Sequence, residues 1–458
     1  MQGIVMTLMF VAPDWVLSLT RERRPNAFWA EYILWPAIQI VIVLFVVLTL
    51  VAYLVYLERK VSAFMQARLG PMRVGPWGLL QPLADGIKLL IKEDIIPIKA
   101  DRAVFVIAPI VSVVAALVVL AVIPWGAAWA TIANVNIGLL FILAVSSVSV
   151  LGLVLAGWSS NSKYSLLGAL RSSAQMVSYE IGMGLSIIGA LMFARTLSMS
   201  GIIDAQRADG IWYVFVQPLG FLVYLTSALG ETNRAPFDLP EAESELVAGY
   251  HTEYSGFRWA LFFMAEYSAM IVTSAVAVTV FLGGWMLPGV TGTSLFGIGP
   301  ISNPTLHTIA SIVVFAGKIM LLIYAYMWFR WTWPRYRYDQ LMELGWKWMI
   351  PAGLANIVLT GVWYVMALPK SQGGLFGFMR EEKGRLIPAG WGGYVYFIGT
   401  ACLITVPIVW GLLATINKRS RDFNLHEQRQ LQVQLRRERL EKMLQQPGGA
   451  QPAEGAGQ

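Results

Sequence analysis

The chain has 458 residues, of which 57% are hydrophobic and only 13% charged, with a formal net charge of +7. An ordinary soluble domain carries roughly 25% charged residues, and a soluble fold of this composition would expose apolar patches large enough to aggregate. A soluble enzyme is therefore excluded, and so is a nucleic-acid-binding protein, because the basic residues gather in loops that flank apolar runs.

In chain order, residues 1–32 carry an apolar stretch from Met1 to Leu19 that is broken by Pro13 and Asp14 and lacks the cleavage site of a signal peptide. It reads as an N-terminal interfacial segment. Runs near the roughly 20 apolar residues that cross a bilayer follow at 33–57, 103–123, 136–157, 175–194, 212–230, 258–282, 308–329, 346–367 and 393–415. The expected fold is all-α: a polytopic integral membrane bundle of about nine transmembrane helices with structured cytoplasmic loops. Eight of these runs fall within residues 33–367, and the ninth follows a loop within residues 368–416. Residues 417–458 form a charged tail whose Pro/Gly/Ala/Gln-rich end has the composition of a disordered segment.

The distribution of basic residues orients this bundle. The loop from Glu58 to Arg102 holds Arg59, Lys60, Arg68, Arg73, Lys88, Lys92 and Lys99, whereas the loops at 124–135 and 283–307 hold no Lys or Arg. Basic loops stay on the cytoplasmic side, so the N-terminus is expected outside and the tail, with Lys418 and Arg419, inside.

The chemistry-bearing residues concentrate in those cytoplasmic loops. In the first, Gly70-Pro71 and Gly75-Pro76 force tight turns. From Pro82 onward, Leu83, Ile87, Leu90 and Ile91 share one helical face, with Asp85, Lys88 and Lys92 opposite, as in a helix lying in the interface plane. The segment 158–180 ends with Glu180 inside the fourth span, a depth at which a carboxylate needs a partner, a proton or water. The densest stretch carries Glu231, Asp238, Glu241, Glu243, Glu245 and Glu253 within 23 residues, with Arg234 and His251. If the part after Pro240 is helical, Glu241 and Glu245 share a face and Glu243 points away. Carboxylates crowded in a low dielectric raise one another's proton affinity and can exchange protons near neutral pH. Glu266 and Lys318 fall inside the sixth and seventh spans. The bland readings are a solvated acidic loop, arginines that anchor the interface, and tyrosines and tryptophans of the membrane-boundary belt; His251 alone reads as structural.

Redox centres are not expected in this chain. Cys402 is the only cysteine and the three histidines are scattered, so no iron–sulfur, haem or zinc site can be read from the sequence. No G-x-G-x-x-G fingerprint follows a strand pattern either.

The stretches at 58–93, 158–180, 231–266 and 330–351, in this order between these spans, resemble the H-subunit family of NADH-quinone oxidoreductase, membrane subunits of respiratory complex I. The resemblance covers residues 33–367 and implies an eight-helix core that shapes a quinone chamber together with the peripheral arm. It further implies that quinone is the substrate, that NADH, FMN and the iron–sulfur clusters belong to partner subunits, and that the setting is the bacterial inner membrane. Carried over by motif position, Glu180, Glu231, Asp238, Glu241, Glu243, Glu245 and Glu266 would form the acidic route for proton coupling. Glu58, Arg59, Arg68, Asp85, Lys88 and Arg234 would shape the chamber or the subunit interface. Two alternatives are the equivalent membrane subunit of a membrane-bound hydrogenase or formate hydrogenlyase, and a stand-alone proton-coupled transporter. The sequence shows no internal repeat of the kind many transporters carry.

Overall fold

A computed structural model of the chain describes residues 34–127, 130–238, 248–286, 304–368, 377, 379–382, 385–388, 392–411 and 414. The expectations placed on residues 1–32 and 417–458, and on Glu241, Glu243 and Glu245, lie outside these. By contacts the chain divides into two compact units, residues 1–401 and 402–458.

The helices of the first unit are α1 (Trp35–Met65), α2 (Gln81–Ile91), α3 (Arg102–Val118), α4 (Gly138–Ser159), α5 (Lys163–Ala194), α6 (Met199–Asp209), α7 (Pro218–Glu231), α8 (Gly256–Phe281), α9 (Pro304–Thr332) and α10 (Tyr338–Ala367). A final helix, α11, covers Gly392–Gly411. Local chemistry sets several of the starts. The Asp101 carboxylate accepts from the backbone N–H groups of Ala103 (3.1 Å) and Val104 (3.4 Å) and caps α3, while prolines sit in the first turns of α1, α2 and α7.

Eight helices among the described residues are long and apolar enough to cross a membrane: α1, α3, α4, α5, α8, α9, α10 and α11. The chain is thus an all-α polytopic membrane protein with one small addition. Met379–Glu382 and Arg385–Pro388 form an antiparallel hairpin, β1 and β2, with Met379 opposite Pro388.

Three elements differ from the sequence expectation. The fifth expected span is broken at Gln217, because Pro218 has no N–H to continue the ladder. What remains is one turn, Tyr213–Val216, and the 14-residue α7, about 21 Å long against the ~30 Å of a hydrocarbon core. The first span continues to Met65, so Glu58 lies inside α1 and is buried. The fourth span begins already at Lys163, which leaves Glu180 mid-helix. Ser165, Gly168, Ala169 and Ser172, which read as loop, are the small buried face of that helix, the residue types that let membrane helices approach closely.

Small residues also join α3, α4 and α5. A Cβ on Gly152 would stand 2.1 Å from Ser112 Oγ, and one on Gly157 2.3 Å from Ala169 Cβ. The core there comprises Phe105, Leu153, Met176, Tyr250, Tyr254 and Phe262. A second cluster gathers Val216, Trp363, Ala367, Met379, Phe397 and Ala401, so the hairpin packs on the end of α10.

The amphipathic helix α2 has no buried residue, and Leu83, Ile87, Leu90 and Ile91 stand exposed on it. Its C-terminal end is tied to the start of α8. Ser255 Oγ accepts from the Ile95 N–H (3.0 Å) and donates to the Glu93 carbonyl (3.3 Å), and Arg258 pairs with Asp94 at 2.8 Å. Gly256 makes this approach possible. Its φ is +57°, and a Cβ would lie 3.2 Å from the Lys92 carbonyl oxygen. Gly256→Ala is therefore expected to destabilise by about 1–2 kcal/mol, read as a lower midpoint of thermal inactivation of the purified protein; an unchanged midpoint would refute this.

Candidate functional site

A cluster of ionisable side chains is enclosed where α1, α8, α9 and the turn after α7 meet. Glu58 comes from α1, Arg234 from the turn, Glu266 and Tyr267 from α8, and Arg330 from the last turn of α9. All but Arg330 are at most 13% exposed at the side chain or residue level. Arg234 Nη1 stands 3.6 Å from Glu58 Oε2 and its Nη2 3.8 Å from Glu266 Oε2. Its guanidinium also lies over the Tyr267 ring, 4.1 Å from the centroid, so one cation serves two carboxylates and an aromatic face. Glu58 additionally accepts from Arg330 and from the Tyr267 hydroxyl, and Glu266 accepts from the Tyr250 hydroxyl at 2.9 Å. Among the described residues two carboxylates balance two guanidiniums, which is what burial of charge requires.

Beside the cluster is a cavity between α3, α4, α5, α8 and the end of α7, with about 60 Å³ in which the centres of water molecules fit. One water needs ~10–15 Å³ by that measure. Glu231 and Glu266 both line it, together with Ser112, Ser146, Ser149, Thr232 and Asn233. Glu231 is buried, and its Oε2 accepts no hydrogen bond among the described residues. The lining is mostly apolar, with Ala115, Val119, Leu153, Met176, Phe262 and Val272, and the Ser146 hydroxyl lies close enough to bond the Glu231 carboxylate. A buried carboxylate with one oxygen left unbonded on the wall of such a cavity is placed to take up water or a proton.

Asp238 stands apart from this cavity. It is buried and pairs with Arg335 at 3.0 Å, while Phe237 stacks on Tyr336, with ring centroids 5.6 Å apart. The stretch after α9 is thereby joined to the acidic turn. Glu180 is half-buried and makes no ion pair among the described residues.

The remaining sequence-derived residues form a separate, outer group. Arg59 pairs with Asp85 at 2.7 Å, and Gln81 donates to the same carboxylate at 3.0 Å, linking α1 to α2. Arg68 donates to Gln66 at 2.7 Å, and both it and Lys88 are exposed. Lys318, expected to need a partner, lies away from the acids. Its ammonium donates to the carbonyls of Leu282 (2.7 Å), Gly284 (2.8 Å) and Met286 and covers the Trp212 ring at 4.2 Å.

Sequence reasoning misses Arg330, Tyr250 and Tyr267. Arg330 carries one signal, a cation in the last turn of an apolar span; the tyrosines are indistinguishable by pattern from boundary-belt residues. Among the described residues, no group of His, Cys, Asp and Glu could hold a metal ion.

Fold and site together define a polytopic membrane protein that keeps a balanced set of acids and arginines inside its helical core. The NADH dehydrogenase family model matches residues 38–361, and the chain belongs to the H-subunit family of NADH-quinone oxidoreductase, membrane subunits of complex I. The NADH-quinone oxidoreductase H subunit of Rhodospirillum rubrum is 51% identical over 337 residues, 73% of this chain and 96% of the relative. An H subunit of the same oxidoreductase from Geobacter metallireducens is 48% identical over 357 residues, 74% and 96% respectively. NADH-quinone oxidoreductase subunit 8 of Rhodothermus marinus is 48% identical over 329 residues, 71% and 96%. The relatives bear out the quinone-oxidoreductase reading over the hydrogenase and transporter alternatives, and the chain is a multi-pass protein of a bacterial membrane.

Proposed function

We propose that this chain shapes the quinone chamber of the complex with peripheral-arm subunits, and couples quinone reduction to proton translocation through its buried carboxylates. The carrying observation is that Glu231 and Glu266 line one buried cavity while Glu266 and Glu58 share Arg234. Reducing a quinone adds electrons to its headgroup and calls for protons. A charge change near Glu58 shifts the balance on Arg234, and Arg234 passes it to Glu266 and the cavity without a change of backbone. Glu180, Glu241, Glu243, Glu245 and Asp238 extend the acidic route on either side. Arg59 at the end of α1, Arg68 on the first loop, and Asp85 and Lys88 on α2 face the peripheral-arm subunits and the lipid surface.

FMN, NADH and iron–sulfur clusters are supplied by partner subunits, and other membrane-arm subunits receive the protons. The N-terminus lies outside the inner membrane and the tail in the cytoplasm, a reading supported by the Lys/Arg asymmetry of the loops. Residues 33–367 are the coupling core; the hairpin and α11 are additions to it.

Glu180→Gln and Glu231→Gln in the assembled complex test this. Each is expected to reduce NADH:quinone turnover and proton pumping by about tenfold or more, as loss of a positioned acid–base group does, while NADH:ferricyanide turnover through the peripheral arm is unchanged. Retention of both quinone reduction and pumping by both variants would overturn the proposal.

A further inference from the structure

The turn that carries Glu231 and Arg234 leaves α7, runs over 231–236 and reaches Phe237 and Asp238. Its shape is not set by its own backbone hydrogen bonds alone. Within it, Thr232 bonds back to Ala228 (3.1 Å), Asn233 to Gly230 (3.4 Å) and Phe237 to Arg234 (2.8 Å), and Asn233 takes a φ of +49°, a conformation that costs energy unless the surroundings enforce it. One side chain from another helix bridges the turn's two ends. Gln175, on α5 and fully buried, donates from Nε2 to the Gly230 carbonyl at 2.8 Å and to the Phe237 carbonyl at 2.7 Å. Both protons of one amide are thus committed to the residues that flank the turn.

Two further contacts press the turn onto α5 at the same place. A Cβ on Gly230 would fall 2.4 Å from the Tyr179 ring, so only glycine lets the chain lie on it. Tyr179 in turn packs against Phe237, with centroids 5.5 Å apart, and donates to the Leu341 carbonyl at 3.0 Å. The Gln175 Oε1, buried with the rest of the side chain, accepts no hydrogen bond among the described residues. The residue is held through its donors alone, which is costly for a core amide and is not what a space-filling position would select.

We propose that Gln175 is a positioning residue for the coupling site: its amide clamps both ends of the 231–236 turn and so fixes where the Glu231 carboxylate and the Arg234 guanidinium stand. The inference rests on the coupling role proposed above for those two residues. It assigns to Gln175 no contact with quinone and no proton. Its chemistry is the double donor, and that makes it separable from bulk packing.

Two substitutions in the assembled complex separate the cases. Gln175→Met keeps length and volume but has no donor. It is expected to lower NADH:quinone turnover about tenfold, as a misplacement of about 1 Å at a reacting centre does, with NADH:ferricyanide turnover and the shape of the pH profile unchanged. Gln175→Glu places carboxylate oxygens against two carbonyls and is expected to be at least as impaired near pH 8. As pH falls toward about 6 its turnover recovers relative to the unsubstituted complex, because the protonated carboxyl donates one of the two lost bonds.

Equal activity of Gln175→Met and the unsubstituted complex would overturn the clamp. So would a Gln175→Glu variant with no acid-side recovery, and this comparison is made within one preparation, so it decides the matter even if Gln175→Met fails to assemble. Glu231→Gln measured alongside separates the two claims. If it is impaired while Gln175→Met is not, only the clamp falls; if Glu231→Gln is itself fully active, the coupling role falls first.

Discussion

Arg234→Met is expected to remove most of the assembled complex from the membrane. Arg234 is the cation that Glu58 and Glu266 share, at 3.6 and 3.8 Å, with its own residue only 5% exposed. Breaking a buried ion pair by deleting one partner costs about 3–5 kcal/mol, because an uncompensated charge is left in low dielectric. Arg330 still faces Glu58, so the excess charge falls on Glu266. Two further substitutions make the cause explicit. Arg234→Lys keeps the charge but loses the planar face that lies 4.1 Å over the Tyr267 ring, and should assemble at an intermediate level. Arg234→Met combined with Glu266→Gln restores the charge balance and should recover assembly beyond Arg234→Met alone, a coupling of about 1–3 kcal/mol in a double-mutant cycle. Immunodetection of the protein in native gels of membranes reads all three. Full assembly of Arg234→Met would show that the cluster carries no such burden.

The same cluster shows how much of this protein can be read from its sequence. Apolar runs are a one-dimensional signal, and they locate eight of the spanning helices, along with the amphipathic face of α2. They miss the polar ends, so that α1 runs on to Met65 and α5 and α10 begin at Lys163 and Tyr338, well before their apolar runs. Glu266 and Arg234 stand out because charge within or between apolar runs is expensive. Glu58 reads as loop because hydropathy falls at Leu57-Glu58-Arg59, yet the helix continues to Met65 and carries Glu58 inward while Arg59 points to Asp85. Adjacent charges on a helix point about 100° apart, and only tertiary packing decides which one is buried. The partner of Glu58 in α9 is 272 residues away in sequence, beyond any spacing rule. The cavity is likewise a property of how α3, α4, α5 and α8 fail to fill space, and Gln175 reads in the sequence as one polar residue in a Ser- and Ala-rich stretch. Pro218 is visible in the sequence, but whether a proline kinks a span or shortens it depends on what replaces the lost bond.

Stability of the acidic turn should fall with acid in a window set by His251. This residue lies between α7 and α8, outside the spans, with its ring 4.9 Å from that of Tyr250 and 6.5 Å from that of Trp259. Burial pushes its pKa down from 6.5 to about 4, and the nearby charge of Asp238 offsets part of that effect. Above pH 6.5 the imidazole is neutral in both folded and unfolded chains and contributes no pH dependence. Between 6.5 and about 4 the unfolded chain binds a proton that the folded one refuses, so stability rises with pH across this window and is lost as pH falls through it. The loss amounts to about 2 kcal/mol near pH 5 and about 3 kcal/mol once the window is crossed. His251→Gln removes the titration while keeping a polar side chain. The midpoint of thermal inactivation of the complex should then fall less steeply with acid than in the unsubstituted protein, with the two curves parallel above about pH 7. Identical slopes below pH 6.5 would mean that His251 takes up its proton without resistance and that its pocket is open to water. The expected outcome has a consequence for the site itself. A histidine that stays neutral next to Tyr250 adds no positive charge beside the Tyr250–Glu266 hydrogen bond, so among the described residues the cations that face Glu58 and Glu266 remain Arg234 and Arg330.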